Sequence, residues 1–296
     1  MASQRSLYLS LFIATFAVSW AAILIKLAGA GPLPTAFYRM ALASLILAIP
    51  AIPKLNDSFK NLSRAEIIQL VISGLMLAAH FAVWVTSLFY TTISNSAILV
   101  ATQPIWVMFM ERLIKKEKIP VRSITGMIIA VAGMIVITGG DINLSSEYII
   151  GDLLALAGAV FAAIYLFIGR QLRARMDNLS YIFPVYAISA AGLLVICLFY
   201  RENLFDYSAD TWFIFLLLAL IPTVVGHSLY NWLLKYVSAH MVATTVLGEP
   251  IGATILAIFF FSQVPGWSTV VGGVMILAGI FIVLRRRKQR VVEITE

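Results

Sequence analysis

Residues 226–250 read GHSLYNWLLKYVSAHMVATTVLGEP. His227, Tyr230, Asn231 and Glu249 sit here inside two segments otherwise apolar enough to cross a lipid bilayer. A polar or ionisable group at that depth is expensive unless it is partnered or hydrated, which makes it a functional-site candidate by default. The stretch also has a second copy. Moved back by 146 positions, Tyr236, Ala243, Val246, Pro250, Ile251, Gly272, Ala278 and Gly279 fall on Tyr90, Ala97, Val100, Pro104, Ile105, Gly126, Ala132 and Gly133, with no gap along the run. The chain reads as a duplication.

Composition bounds the class. The 296 residues are 61% hydrophobic and 12% charged, against roughly a quarter charged in soluble domains. With a mean hydropathy of +0.96, too few polar side chains remain to cover a water-facing surface. The expectation is an all-α polytopic membrane protein. The single cysteine, Cys197, cannot form an intramolecular disulfide.

A span needs about 20 mostly apolar residues. By that rule ten are expected, at roughly 7–27, 33–52, 65–89, 92–113, 121–139, 149–169, 179–199, 210–234, 239–262 and 267–284. The first has Arg5 ahead of it and Ala28-Gly29-Ala30 after it, like a signal peptide. Its apolar run is too long for one, and Trp20 and Lys26 lie within it, so it reads as a retained helix. With ten helices, eighteen of the 21 lysines and arginines fall on one side: Arg5, the second, fourth, sixth and eighth connections, and the tail that starts RRRKQR. The opposite side holds Asp141, Glu147, Asp152, Glu202, Asp206 and Asp210 with few cations. The positive-inside rule then puts both termini in the cytoplasm and the protein in the cell membrane. The net charge of +7 is thereby explained by topology and lipid contact, without a nucleic-acid partner.

The duplication has a geometric consequence. Helices 1–5 (residues 1–140) form one copy and 6–10 (149–284) the other, followed by a basic cytoplasmic tail (285–296). Five is odd, so the second copy enters the membrane from the opposite side. Two inverted five-helix repeats are the architecture of secondary transporters, which rock two halves around a site near the midplane.

Trp20 with Lys26, and FYRMALASLIL with Arg39, resemble the opening of the EamA type of the drug/metabolite transporter superfamily. PIWVMFMERLIKKEKIP at the end of helix 4 and EPIGATILAIFFFSQVP in helix 9 are similar to that family's signature. In it a proline is followed by an apolar helix, a glutamate thirteen residues on, then a glycine-bearing helix ending in LAG. The glutamate is Glu117 in the first copy but Gln263 in the second. The resemblance covers about residues 7–284. It implies ten helices in two repeats and export or exchange of small metabolites, amino acids being a common case.

Several constellations could carry the chemistry. His80 and His227 lie 147 residues apart, within one residue of the repeat shift. Trp84 follows His80 by four residues, and Tyr230 and Asn231 follow His227 by three and four, so each histidine has neighbours along one helical stripe. Substrate contact or proton handling is one reading, and hydrogen bonds locking helices together the other. Gln103-Pro104 and Glu249-Pro250 occupy matched positions, where a proline bends a helix and frees a backbone carbonyl. Glu249 is a candidate proton carrier whose charge follows the hydration of a cavity, or else a structural partner of His227, Lys26 or Arg39. Lys26 and Arg39, near the outer ends of helices 1 and 2, read first as stems snorkelling to the headgroups. Binding an anion such as a substrate carboxylate, or an ion pair at the outer mouth, is their other reading. Trp20, Trp84 and Tyr165 are the aromatic pocket candidates. Gly126, Gly133, Gly272 and Gly279 form small-residue stripes that suit close packing.

Two histidines without nearby cysteine or aspartate make a thin ligand set, so no metal is expected, and no cofactor motif appears. The expected function is secondary transport of a small organic metabolite in the outward direction. Helices 1, 3, 4, 6, 8 and 9 would line the cavity and a gradient or exchange would drive the cycle, with a proton as one coupling ion. An importer or lipid-like flippase of the same fold is the alternative. A membrane enzyme would need its acid, base or metal groups clustered, whereas here they are spread over both copies.

Overall fold

The structure is a computed structural model that describes residues 4–60, 62–115, 121–141, 145–233, 235–236 and 248–284. Glu117, the opening of the ninth expected span at 239–247, and the basic tail lie outside the described residues. Among those described, regular structure is helical throughout.

The chain runs as α1 (Gln4–Ser19) and α2 (Ala21–Leu27), divided at Trp20, then α3 (Pro32–Phe59) and α4 (Arg64–Tyr90). The short α5 (Ile93–Val100) and α6 (Gln103–Lys115) form the fourth run, and α7 (Val121–Asp141) the fifth. Next come α8 (Ser146–Arg173) and α9 (Asn178–Phe199). The eighth run is α10 (Ala209–Leu218), a π-helical stretch (Ala219–His227) and α11 (Ser228–Leu233). α12 (Gly248–Phe261) and α13 (Trp267–Leu284) close the described chain.

Seven of these runs are long and apolar enough to cross a membrane: Leu7–Leu27, Pro32–Leu55, Arg64–Tyr90, Ile93–Ile114, Ser146–Arg173, Asn178–Phe199 and Ala209–Leu233. The other three expected spans appear as the shorter apolar segments Ile124–Ile137, Gly248–Phe261 and Trp267–Ile282. Large apolar side chains such as Ile49, Ile128, Ile135, Phe259 and Trp267 stand exposed, a surface suited to lipid rather than water.

Local chemistry explains the helix ends. Ser63 and Glu66 form a reciprocal capping box at the start of α4, satisfying two amides that have no partner inside the helix. Thr92 caps α5 through the Asn95 amide at 3.1 Å. Asp177 caps α9, accepting from the Leu179 and Ser180 amides at 3.0 and 3.2 Å. The α5–α6 break at Ala101–Thr102 lies just before Pro104. That residue offers no N–H to the Val100 carbonyl, and its ring crowds the same oxygen. Gln263 follows the end of α12 and accepts the Ile93 amide at 3.2 Å. It ties the ninth run to the start of the fourth.

Helix packing follows the small residues. α7 lies along α13, with the Gly133 backbone against that of Gly272 and Gly126 against Gly279. A methyl group on Gly133 would stand 2.6 Å from the Gly272 carbonyl oxygen, and one on Gly279 2.5 Å from that of Gly126. Under the 146-residue shift these two contacts exchange with each other. α3 packs on α9, α4 on α8 and α9, and α1 on the π-helical stretch and α12.

Candidate functional site

The centre of the bundle is built outward from Pro222, inside the π-helical stretch. A proline leaves the carbonyl four residues back, here that of Leu218, without its helical partner. The Thr223 hydroxyl takes that carbonyl at 2.9 Å and itself accepts Arg39 Nε at 2.7 Å. A widened helical turn is thereby converted into an anchor for a cation. The Ser228 hydroxyl reaches back in the same manner to the Thr223 carbonyl at 3.3 Å.

Arg39 does not snorkel to the headgroups. It is 0% exposed, seven residues or about 10 Å inside α3. Its guanidinium carbon lies 4.2 Å from the centre of the Phe81 ring and 5.7 Å from that of Trp84, so aromatic faces replace water around the charge. Nη1 and Nη2 have no hydrogen-bond partner among the described residues. Glu249, Tyr186, His80 and His227 lie within electrostatic reach. Glu249 is half-buried at the start of α12, and its main-chain oxygen accepts Ser19 Oγ at 3.5 Å.

Both histidines come to this place. His80 stacks on Trp84 with ring planes 5° apart, as the spacing of four residues implies, and donates from Nδ1 to the Gly158 carbonyl at 2.9 Å. One nitrogen of His80 therefore joins α4 to α8. His227 meets the Phe81 ring edge-on at 5.7 Å. The indole Nε1 of the buried Trp84 has no partner among the described residues.

Asn231 is buried and donates from Nδ2 to Tyr165 Oη at 2.7 Å and to the His227 carbonyl at 2.8 Å. Its Oδ1 is unpartnered among the described residues. Tyr186 sits beside the Asn231 amide and within electrostatic reach of Arg39, so the two polar groups belong to one constellation. Arg173, assigned by the sequence to a cytoplasmic loop, is 2% exposed in the last turn of α8. It donates from Nε to the Asn231 carbonyl at 3.1 Å and from Nη1 to the Met176 carbonyl.

Other expected site residues lie elsewhere. Tyr230 turns away from the centre and pairs with Thr15 of α1 at 2.8 Å. Trp20 packs edge-on against Phe16 and Phe260. The Lys26 ammonium lies 5.1 Å from the centre of the Phe89 ring. Gln103 is half-buried and Pro104 and Pro250 are buried, at the starts of α6 and α12. A cleft of about 490 Å³ opens among Ser58, Leu62, Arg175, Met176, Asp177 and Lys235.

The model of the EamA-like transporter family matches this chain twice, at residues 5–139 and 149–285. The chain belongs to that family. An uncharacterized transporter of Archaeoglobus fulgidus is 26% identical over 98% of this chain and 100% of its own length. The pseudopaline exporter CntI of Pseudomonas aeruginosa is 26% identical over 93% of this chain and 95% of its own length. A crystal structure aligns over 95% of this chain and 98% of that one, with a TM-score of 0.66 at 17% identity, which shows the fold is shared. The protein is a multi-pass membrane transporter, and the names of family and relatives point to transport rather than enzymatic chemistry.

Sequence reasoning did not single out Thr223, Phe81 or Tyr186 as site residues. The available signal was Pro222-Thr223, a proline followed by a hydroxyl inside an apolar run. That pair announces a freed carbonyl and a side chain able to satisfy it.

Proposed function

We propose that this protein is a secondary transporter exporting small organic metabolites, amino acids or related compounds, across the cell membrane. On this reading the three shorter apolar segments also cross, giving ten helices with both termini cytoplasmic. Residues 1–140 and 149–284 are inverted repeats that rock around the central constellation. The double match of the family model and the exchange of the Gly133–Gly272 and Gly126–Gly279 contacts support the two-repeat reading. The relative named as an exporter supports the direction.

The observation that carries the functional reading is a buried to half-buried polar constellation drawn from both halves. Arg39, His80 and Trp84 come from the first, and Tyr165, His227, Asn231 and Glu249 from the second, with donors and acceptors left unpaired. Buried polar groups in proteins are otherwise nearly always satisfied, so such a set is suited to completion by a ligand. Gln103 and Trp20 are proposed as wall residues farther out, whereas Tyr230 faces Thr15 and stands outside the constellation. Pro104 and Pro250, beside Gln103 and Glu249, supply bends in the two halves, and Lys26 is a cation towards the outer mouth.

The test is transport in proteoliposomes with a labelled amino-acid panel, with and without an imposed pH gradient, comparing wild type with Glu249→Gln. Gradient-driven accumulation that the variant loses supports proton-coupled amino-acid transport. Exchange indifferent to both gradient and variant keeps the transporter and makes Glu249 structural. A panel in which no amino acid moves, while other small metabolites do, rejects the substrate class.

A further inference from the structure

Two buried arginines make an instructive contrast. Arg173 has the satisfaction expected of a structural cation, with Nε and Nη1 both donating to main-chain carbonyls. Arg39 is buried more completely, yet only Nε is anchored, on Thr223. The Thr223 bond and the Phe81 and Trp84 ring faces fix the guanidinium, leaving its Nη1–Nη2 end unpaired. A buried charge short of partners is costly to keep. Two parallel N–H donors on a fixed planar fork are the arrangement that binds a carboxylate bidentately.

The neighbouring groups narrow the ligand further. Trp84 Nε1, on the ring 5.7 Å from the Arg39 guanidinium carbon, is another unpaired donor among the described residues, whereas Asn231 Oδ1 is an unpaired acceptor. Glu249 lies within electrostatic reach of Arg39 but makes no hydrogen bond to it. A plain cation would meet Arg39, and a dicarboxylate would bring a second negative group towards Glu249. A molecule carrying a carboxylate and an ammonium a few bonds apart satisfies both ends. We propose that Arg39 is the carboxylate-reading residue of the transport site, with Asn231 Oδ1 and Glu249 receiving the ammonium. The substrate class is then the zwitterionic α-amino acids and closely related amino carboxylates. This rests on the transporter reading and deepens it by assigning a specificity-determining residue.

The experiment is competition for uptake into proteoliposomes against whichever labelled compound of the panel is transported best. The competitors are an α-amino acid, its amide, the corresponding amine and the N-acetyl acid. Wild type should prefer the amino acid over its amide and over its N-acetyl form on the order of tenfold to a hundredfold, the range for a hydrogen bond to a charged group. Arg39→Gln should bring acid and amide to within a few-fold, with Arg39→Lys restoring part of the preference. A residue that only held helices together would lower transport without altering that ratio. If Arg39→Gln does not fold, the wild-type comparison of acid with amide decides alone. An amide that competes as well as the acid in wild type, or an Arg39→Gln protein that keeps the full preference, overturns the proposal. Transport confined to compounds without a carboxylate overturns it while leaving the transporter intact. Movement of no compound in the panel, charged or neutral, counts against both.

Discussion

Gly133→Ala tests a close backbone contact between α7 and α13 with a single methyl group. An ideal Cβ at this position lies 2.6 Å from the Gly272 carbonyl oxygen and 2.9 Å from Met275 Cβ and Ile276 Cγ1. A tolerable carbon–oxygen contact begins near 3.3 Å, so α7 and α13 must separate by about 0.7 Å, because a backbone atom cannot rotate away. Overpacking of this kind costs about 1–3 kcal/mol. Alanine also favours the helix over glycine by up to about 1 kcal/mol, which masks part of the loss. Gly139→Ala removes that ambiguity, since a Cβ there meets nothing within 4 Å on the same helix. The difference between the two variants isolates the packing cost. At roughly 2–4 °C per kcal/mol, Gly133→Ala should melt roughly 2–12 °C below Gly139→Ala when thermal unfolding is followed in detergent. Gly272→Ala should behave similarly, and the Gly133→Ala/Gly272→Ala pair should lose less than the sum of the single losses, since the first methyl already opens the interface. Equal melting of Gly133→Ala and Gly139→Ala would refute the contact and the close pairing of α7 with α13.

Three further outcomes follow from the geometry. Thr223→Val strips the acceptor from Arg39 Nε and should lower stability by about 1–3 kcal/mol, with Thr223→Ser retaining most of the wild-type melting temperature. A double-mutant cycle of Tyr165→Phe and Asn231→Leu should give a coupling energy of about 0.5–1.5 kcal/mol for their 2.7 Å hydrogen bond; zero coupling would mean the bond does not form. Asp177→Ala should cost about 1 kcal/mol through loss of the α9 cap. Although partial burial opposes the Asp177 charge, hydrogen bonds from Ser180, Ser58 and the Leu179 amide outweigh it and hold the carboxyl below its usual 3.8. The cap is thus at full strength above that value and weakens as pH falls through the lowered one, so melting curves of wild type and Asp177→Ala should converge in acid.

The close packing of α7 on α13 was legible because small residues act where they stand. Gly126, Gly133, Gly272 and Gly279 lie on helix faces whose spacing alone suggests close approach, and they are in contact. His80 and Trp84 stack because four residues in a helix leave no other arrangement so direct. Arg39 was not legible. Sequence locates its Cα near a helix end, but a long flexible stem reaches either headgroups or core. Its choice depends on Thr223, 184 residues away, whose hydroxyl is in turn positioned by the carbonyl that Pro222 frees. Tyr230 and Asn231 illustrate the complementary limit. They are neighbours in the chain, yet about 100° of helical rotation sends one to Thr15 and the other to Tyr165. A stripe predicts a face, and the partner on that face belongs to the tertiary structure.

The duplicated positions and the charged positions differ in a way that bears on mechanism. Under the 146-residue shift the packing glycines match, whereas Arg39 falls on Val185 and Glu249 on Gln103. Matching scaffolds suit two access states of similar energy, which a reversible carrier needs. A substrate with unlike ends needs the opposite, a site whose two sides differ. Arg39 stands on α3 and Glu249 on α12, one from each proposed repeat, so under the proposed alternating access a rocking of the repeats would change the distance between the two groups. A bridging zwitterion interacts most strongly in the conformations where both ends are reached, and a ligand shifts a conformational equilibrium only through such a difference in interaction. A substrate carrying the carboxylate alone leaves Glu249 unengaged and loses that leverage. It should therefore bind without accelerating exchange, whereas the full amino acid should do both.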